Sequence, residues 1–341
     1  MNSRTLVTNI FNKENTSKPA FWTGQPTEET QRIYHEKMGI PADDMGFNHI
    51  PSYLNDDCRW IMSDWGSYKH PENKPVFDVT GGVEKTHHGQ AGVFAECSDV
   101  KEVECYPWPD VKYLDFTHVY DTIDKYQDRA IFTGMWSSFF HNVADFFGME
   151  NYFMKMYTDP DVVQAVTDHV TDFYLEANEI FFSQLGDRAD IMFFGNDFGT
   201  QRDLLISPAM FDRFVLPSFK KLISLGKKYN KKILLHSCGS IYKVIPKLID
   251  AGIDGLHPLQ AKAVGMDAET LGREYKKDIC FVGGIDAQGL LVNGTPEETH
   301  DEVLRVREHL GSNFIVSASH EAILPNVPFE NMVAMSKAAK E

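Results

Sequence analysis

The second half of the chain repeats one pattern without a break: a short apolar run, a turn, then a longer segment with helical start and stop signals. The apolar runs are IMFF (191–194), KILLH (232–236), DGLHP (254–258), ICFVGG (279–284) and NFIVSAS (313–319). Each is short, bounded by turn residues and rich in Ile, Leu, Val and Phe, and reads as a buried strand. The segments between them carry helix punctuation. SPAMFDRFVLPSFKKLISLGKKY opens with Ser207 as N-cap and Pro208 at the first helical position, and Pro217 within it predicts a kink or break. SIYKVIPKLIDAG is closed by Gly252, and MDAETLGREYKKD is capped by Asp267. TPEETHDEVLRVREHLG opens with a Thr295 to Glu298 capping box and Pro296 in its first turn, and VPFENMVAMSKAAKE is the final helix.

Strand–helix alternation of this kind requires parallel strands joined by crossover helices. Five consecutive units suit a barrel or an open doubly wound sheet. The chain has no glycine-rich dinucleotide loop, which favours an α/β fold of the (β/α)8 barrel type, and 341 residues fit such a barrel with insertions. In the first half, AFWTG (20–24) and AIFTGMWSSFF (130–140) read as strands, and DPDVVQAVTDHVTDFYLEANEIFFSQLG reads as a long helix. Residues 42–115 show little periodicity and read as an irregular N-terminal excursion over one barrel face, so residues 1–341 are expected to form one barrel domain.

A formal charge of −16 argues against a general binder of nucleic acid or of anionic membranes. No run approaches the ~20 apolar residues a spanning helix needs. The N-terminal stretch lacks the apolar core of a signal peptide, and five sparse cysteines are not a disulfide framework. A cytoplasmic setting is expected. Cys58, Cys97, Cys105 and Cys280 read as packing residues, and His87 and His88 as surface residues of the excursion.

In barrels the chemistry sits at the C-terminal ends of the strands. Asn196 and Asp197 follow IMFF, His236 and Cys238 end KILLH, His257 and Gln260 follow DGL, Asp286 follows ICFVGG, and His320 and Glu321 follow NFIVSAS. Positions i and i+2 of an extended chain point the same way, so His236 and Cys238 can aim an imidazole and a thiol at one point. Zinc takes such ligands, commonly three from the protein, and His320 would be the third. The competing reading is a packed strand end with an inert buried thiol. Asp197, Glu321 and Asp286 are the candidates for acid/base work. Asp197 reads equally as a turn cap in NDFGT, and Asp286 in GGIDAQ reads first as a helix cap. Asn196, His257 and Gln260 are the candidates for cofactor contact, with His257 also readable as a satisfied strand-end histidine. Trp60, Trp65 and Trp136 would line a pocket or fill the core.

The segments SPAMFDRFVLPSFKKL, LLHSCGSIYKVIPKLIDAGIDGLHPLQ, FVGGIDAQGLLVNGTPEE and SASHEAILPNVPFENM resemble the uroporphyrinogen decarboxylase superfamily across most of the chain. The resemblance implies a (β/α)8 barrel with its site at the strand C-termini. True uroporphyrinogen decarboxylases are metal-free and hold substrate carboxylates with arginines after the first strand. Here that place reads FWTGQPTEET, with no arginine until Arg32. The other branch, the zinc-dependent corrinoid-linked methyltransferases, carries His-x-Cys and a distant second Cys. His236 and Cys238 match the first part, and His320 stands where the second cysteine is expected. SASHEAILPNVPFEN also resembles a histidine-bearing stretch of the decarboxylases, so His320 alone does not imply a metal. The resemblance implies a methyltransferase using Zn²⁺ and a corrinoid (cobalamin) held by a partner corrinoid protein, with a small methylated molecule or thiol as donor or acceptor. The alternatives are a decarboxylase-like carboxy-lyase and a non-catalytic tetrapyrrole or corrinoid-protein binding module.

Overall fold

The computed structural model describes residues 1–41, 46, 49–82 and 90–341; His87 and His88 lie outside them. The main sheet has eight strands: β1 (Ala20–Phe21), β3 (Cys58–Met62), β4 (Ala130–Gly134), β5 (Ile191–Gly195), β6 (Lys232–His236), β7 (Gly255–His257), β8 (Cys280–Ile285) and β9 (Phe314–Ala318). They lie in the order β1-β9-β8-β7-β6-β5-β4-β3, every pair parallel. Two short strands, β2 (Gln25–Pro26) and β10 (Ala322–Ile323), pair outside this sheet. The result is a nearly closed barrel wrapped by helices.

The seam between β1 and β3 carries no strand ladder, and two aspartates close it. Asp57 N–H donates to the Phe21 carbonyl (2.9 Å), while the Asp57 and Asp56 carboxylates accept from the backbone N–H groups of Phe21 and Thr23 at 2.9 Å each. Asp57 also accepts from Ser3 Oγ (2.6 Å) and pairs with Lys340, so one carboxylate ties both ends of the chain to the seam. These same charges hid β3 from sequence reading. DDCRWIM falls inside the segment expected to be irregular, and its polar residues broke the apolar run. The excursion also holds helices at His49–Tyr53 and Val100–Glu104. AIFTGMWSSFF is likewise not one strand: β4 stops at Gly134 and a helix begins at Phe139.

Alternate residues of the strands fill the barrel. Ala20, Trp22, Cys58, Phe132, Ile191, Phe193, Leu234, Cys280, Val282 and Ile315 form one cluster with Leu6, Val7, Ile10 and Phe11 of the N-terminal helix Ser3–Phe11. That helix plugs the bottom. The intervening residues, such as Phe194, Leu235 and Phe281, face the helical shell. Cys58, Cys97 and Cys280 are buried as expected, whereas Cys105 is exposed and does not pack.

The helix punctuation operates as read. Ser207, Asp267 and Thr295 accept from the N–H groups of Met210, Thr270 and Glu298, the capping box is complete, and Gly252 closes its helix in the left-handed conformation. Pro217 acts one turn early. It has no N–H to offer Arg213, and the preceding residues Phe211–Val215 widen into a π-helical turn. No helix of the described residues is long and apolar enough to cross a membrane.

Candidate metal centre at the barrel mouth

His236 is the last residue of β6 and continues the inward column of Leu234. The parallel register sets Gly195 of β5 and His257 of β7 beside it. Gly195 is required there. A Cβ would stand 2.4 Å from the Trp136 ring and 2.9 Å from the His236 Cβ. The missing side chain lets Trp136 pack on the His236 imidazole, with ring centroids 5.2 Å apart.

The turn after His236 is built by backbone contact. Gly239 has φ +80°, and a Cβ on it would lie 2.4 Å from the Gly199 carbonyl oxygen. The loops after β5 and β6 therefore touch, and Ser240 N–H donates to the Thr200 carbonyl (2.6 Å). This contact brings Asp197 to the thiol loop, where Oδ1 accepts from Cys238 N–H at 2.7 Å. The same oxygen lies 3.2 Å from His236 Nε2, and Cys238 Sγ lies 3.5 Å from that nitrogen.

Those lengths suit a metal. With bonds of about 2.0–2.3 Å, the ligand–ligand edges of a tetrahedral zinc site are about 3.3–3.7 Å. The two edges at His236, 3.2 and 3.5 Å, fall at about that length, and the atoms of Asp197, His236 and Cys238 lie together within 4.8 Å. His236 Nδ1 and His257 Nδ1 are only 2.8 Å apart, which is a hydrogen-bond length. A second set is Cys238, His320 and Glu321, and a third is His236, His257 and Glu321. Glu321 Oε2 sits 3.6 Å from both His236 Nδ1 and His320 Nδ1 and is buried without a hydrogen-bond partner among the described residues. His236, Cys238 and His320 are not gathered as one trio of ligand atoms; Cys238 is shared between the Asp197 side and the His320 side. His320 is half exposed, and its Nδ1 accepts from Ala322 N–H at 3.0 Å.

The remaining candidates divide. Asn196 is buried and committed to the fold, accepting from Phe140 N–H (2.8 Å) and donating to the Ser137 carbonyl (3.0 Å). Asp286 accepts from Gln288 and Leu290 N–H groups at 3.1 and 3.2 Å, the cap geometry, and belongs to none of the three ligand sets. Gln260 Oε1 accepts from Gly239 N–H (2.6 Å), bracing the thiol loop. His257 is fully buried under Trp22 and Phe193. Trp60 and Trp136 pack together at 5.0 Å beside the centre, while Trp65 is exposed.

Sequence reading missed two polar groups near this centre. His141 lies in the helix Phe139–Phe147, which the misread end of β4 concealed, and Asp64 follows the unrecognised strand β3. Asp64 Oδ2 accepts from Trp136 N–H (2.7 Å), and burial pushes its carboxyl up to about 7.

The electrostatics are those of an anion-rich pocket around imidazoles. Burial opposes protonation of His236, but its hydrogen bonds to Asp197 and Cys238 and the charge of Glu321 outweigh it and raise its pKa. His320 is raised chiefly by its interaction with Cys238. His257 goes the other way, lowered by burial and then by the fields of His236 and His320. Burial also raises the cost of ionising Asp197, yet the His236 contact leaves its carboxyl well below the ordinary range.

The fold is a parallel-stranded barrel with the candidate ligands at its strand ends. Residues 85–341 match the model of the uroporphyrinogen decarboxylase (URO-D) family, and the chain belongs to it. Similar relatives include a methylated-thiol–coenzyme M methyltransferase of Methanosarcina mazei, 28% identical over 194 residues, covering 57% of this chain and 48% of that protein. The methylcobamide:CoM methyltransferase MtbA of the same organism is 22% identical, covering 58% and 55%. A uroporphyrinogen decarboxylase of Synechococcus sp. is 29% identical, covering 54% and 49%. The chain thus spans about half the length of the curated relatives it matches. A solved structure titled as a methyltransferase from Methanosarcina mazei shares the fold throughout, with a TM-score of 0.70 at 16% identity, covering 100% of this chain and 98% of that one.

Proposed function

We propose that the protein is a zinc-dependent methyltransferase that moves a methyl group between a small methylated substrate and the corrinoid of a partner protein. The observation that carries this is the Asp197–His236–Cys238 set, with edges of 3.2 and 3.5 Å at adjoining strand ends. The methyltransferases among the similar relatives support it. The decarboxylase alternative is not supported after the first strand: Arg32, the first arginine after β1, is exposed and lies near Glu28 at 3.9 Å.

Asp197, rather than His320, supplies the third ligand in this reading. One thiolate and one carboxylate match the charge of Zn²⁺, whereas one thiolate and two imidazoles would leave it formally +1. Bound zinc would supply Lewis-acid polarisation of the heteroatom that carries the methyl group. The chain's own residues do the rest. For His236 to bind metal through Nε2, its proton must sit on Nδ1, and His257 Nδ1 at 2.8 Å accepts it. His257 thereby fixes the tautomer of His236. Glu321 and His320, side by side and partly open to solvent, are placed to carry a proton to or from the heteroatom as the methyl group leaves or arrives.

The test is metal content of protein purified without chelator, followed by methyl transfer to cob(I)alamin. Wild type is expected to hold about one zinc per chain. Cys238→Ser and Asp197→Ala lose it, while His320→Ala keeps it and loses turnover. A wild-type protein that stays metal-free when zinc is offered would sink the proposal. Retention of zinc by Asp197→Ala together with its loss from His320→Ala would move the third ligand back to His320.

A further inference from the structure

Beside His320 the barrel mouth opens into a pocket of about 260 Å³ lined by Gln260, Ala287, Gln288, Ser319, His320, Ala322, Leu324 and Val327. Resting on the methyl-transfer reading, we infer that this pocket is the subsite for the body of the substrate. We further infer that the substrate is a small uncharged methyl ether or thioether with a hydrogen-bond acceptor, rather than a carboxylate, sulfonate or ammonium compound.

The lining argues for this class. Four of its members are Ala287, Ala322, Leu324 and Val327, and none of the eight is Lys, Arg, Asp or Glu. The nearest cation in sequence, Lys262, points its Nζ at Asp286 Oδ2, 3.7 Å away, so that charge is already answered. An anion entering here would lose water and meet no Lys or Arg among the described lining residues, and the one imidazole there, His320, already has Glu321 Oε2 3.6 Å from its Nδ1; the penalty for a charge so buried is several kcal/mol in general.

Two of the polar groups, Gln260 and Ser319, are left as donors. Gln260 Oε1 is occupied by Gly239 N–H, which leaves its amide NH₂ without a protein partner among the described residues. Ser319 Oγ accepts from Ala287 N–H at 3.0 Å, which leaves its hydroxyl proton free to donate. An amide NH₂ and a hydroxyl proton suit an ether, hydroxyl or carbonyl oxygen, and neither group carries a negative charge to balance an ammonium. The volume lies under the roughly 300–1,000 Å³ usual for drug-sized ligands, so the substrate is small. The heteroatom that zinc would polarise must keep a lone pair, which a quaternary ammonium lacks.

Binding can be tested apart from turnover. Isothermal titration of the zinc-loaded protein would use 4-methoxyphenol, 4-methoxybenzoate and (4-methoxyphenyl)trimethylammonium as neutral, anionic and cationic probes. The neutral ether is expected to bind about 10-fold or more tightly than either ion. Ala287→Leu, which fills the pocket, should weaken it by a similar factor without changing zinc content. Gln288→Lys, at an exposed lining position, should shift preference toward the benzoate by about 10-fold. Equal or tighter binding of an ion, no binding of the neutral ether, or indifference to Ala287→Leu would each overturn the assignment. Zinc content and methyl transfer read on the same samples separate the two ideas: a metal-free protein that still binds the ether in this pocket would refute the methyltransferase and leave the subsite standing.

Discussion

His236 works with both ring nitrogens. Nε2 faces Cys238 and Asp197, and Nδ1 faces His257 and Glu321. Its position depends on a residue with no side chain. Gly195→Ala would press a methyl group into Trp136 and His236, and overpacking of this kind costs about 1–3 kcal/mol. The expected result is a lower denaturation midpoint together with weaker zinc retention against a competing chelator; unchanged zinc affinity would show that His236 is not positioned through Gly195. His257→Phe is a second residue-scale test. It keeps the bulk but removes the acceptor for His236 Nδ1–H. Zinc affinity should fall about 10–100-fold, the usual cost of losing such a partner, with the fold retained by circular dichroism.

At the scale of elements, the weakest joint of the barrel is the β1–β3 seam. Asp57 serves Phe21, Ser3 and Lys340 at once and is buried. Asp57→Ala leaves a backbone N–H and an ammonium without their acceptor, and urea unfolding should show a loss of about 3–5 kcal/mol. Asp64, at the mouth end of β3, makes stability depend on pH. Its folded pKa of about 7 exceeds the ordinary carboxylate value of 3.8, so the folded state binds this proton more tightly than the unfolded chain. The contribution is fully present below the unfolded pKa and is lost as pH rises through about 7. Relative to Asp64→Asn, the wild type should therefore lose stability between about pH 4 and pH 7, by a few kcal/mol at most. A flat difference across that range would show that Asp64 is not perturbed by burial. Both features were illegible in the sequence, because the aspartates of DDCRWIMSDW read as loop polarity until β3 is recognised.

For the whole molecule, the barrel separates support from chemistry. The N-terminal helix closes the bottom with Leu6, Val7, Ile10 and Phe11, all buried, while every candidate ligand lies at the top. Phe11→Ala should cost about 3–5 kcal/mol yet leave zinc stoichiometry unchanged in the folded fraction. Loss of metal from folded Phe11→Ala protein would show that the two ends are coupled.

What the sequence determined by itself is the order of elements in the second half and the level at which the chemistry sits. The two-residue period of a strand fixes that His236 and Cys238 point the same way, caps fix where helices begin, and strand ends collect Asp197, His236, Cys238, His257 and Glu321 at one level. Tertiary structure alone decided which of these meet. Asp197 reaches Cys238 because Gly199 and Gly239 let two loops touch backbone to backbone, and His320 gathers with Cys238 and Glu321 in a separate set from those that hold His236. Spacing along a chain sets direction, but distances of 3 Å between residues forty or eighty positions apart are set by register and loop contact. No local pattern encodes those.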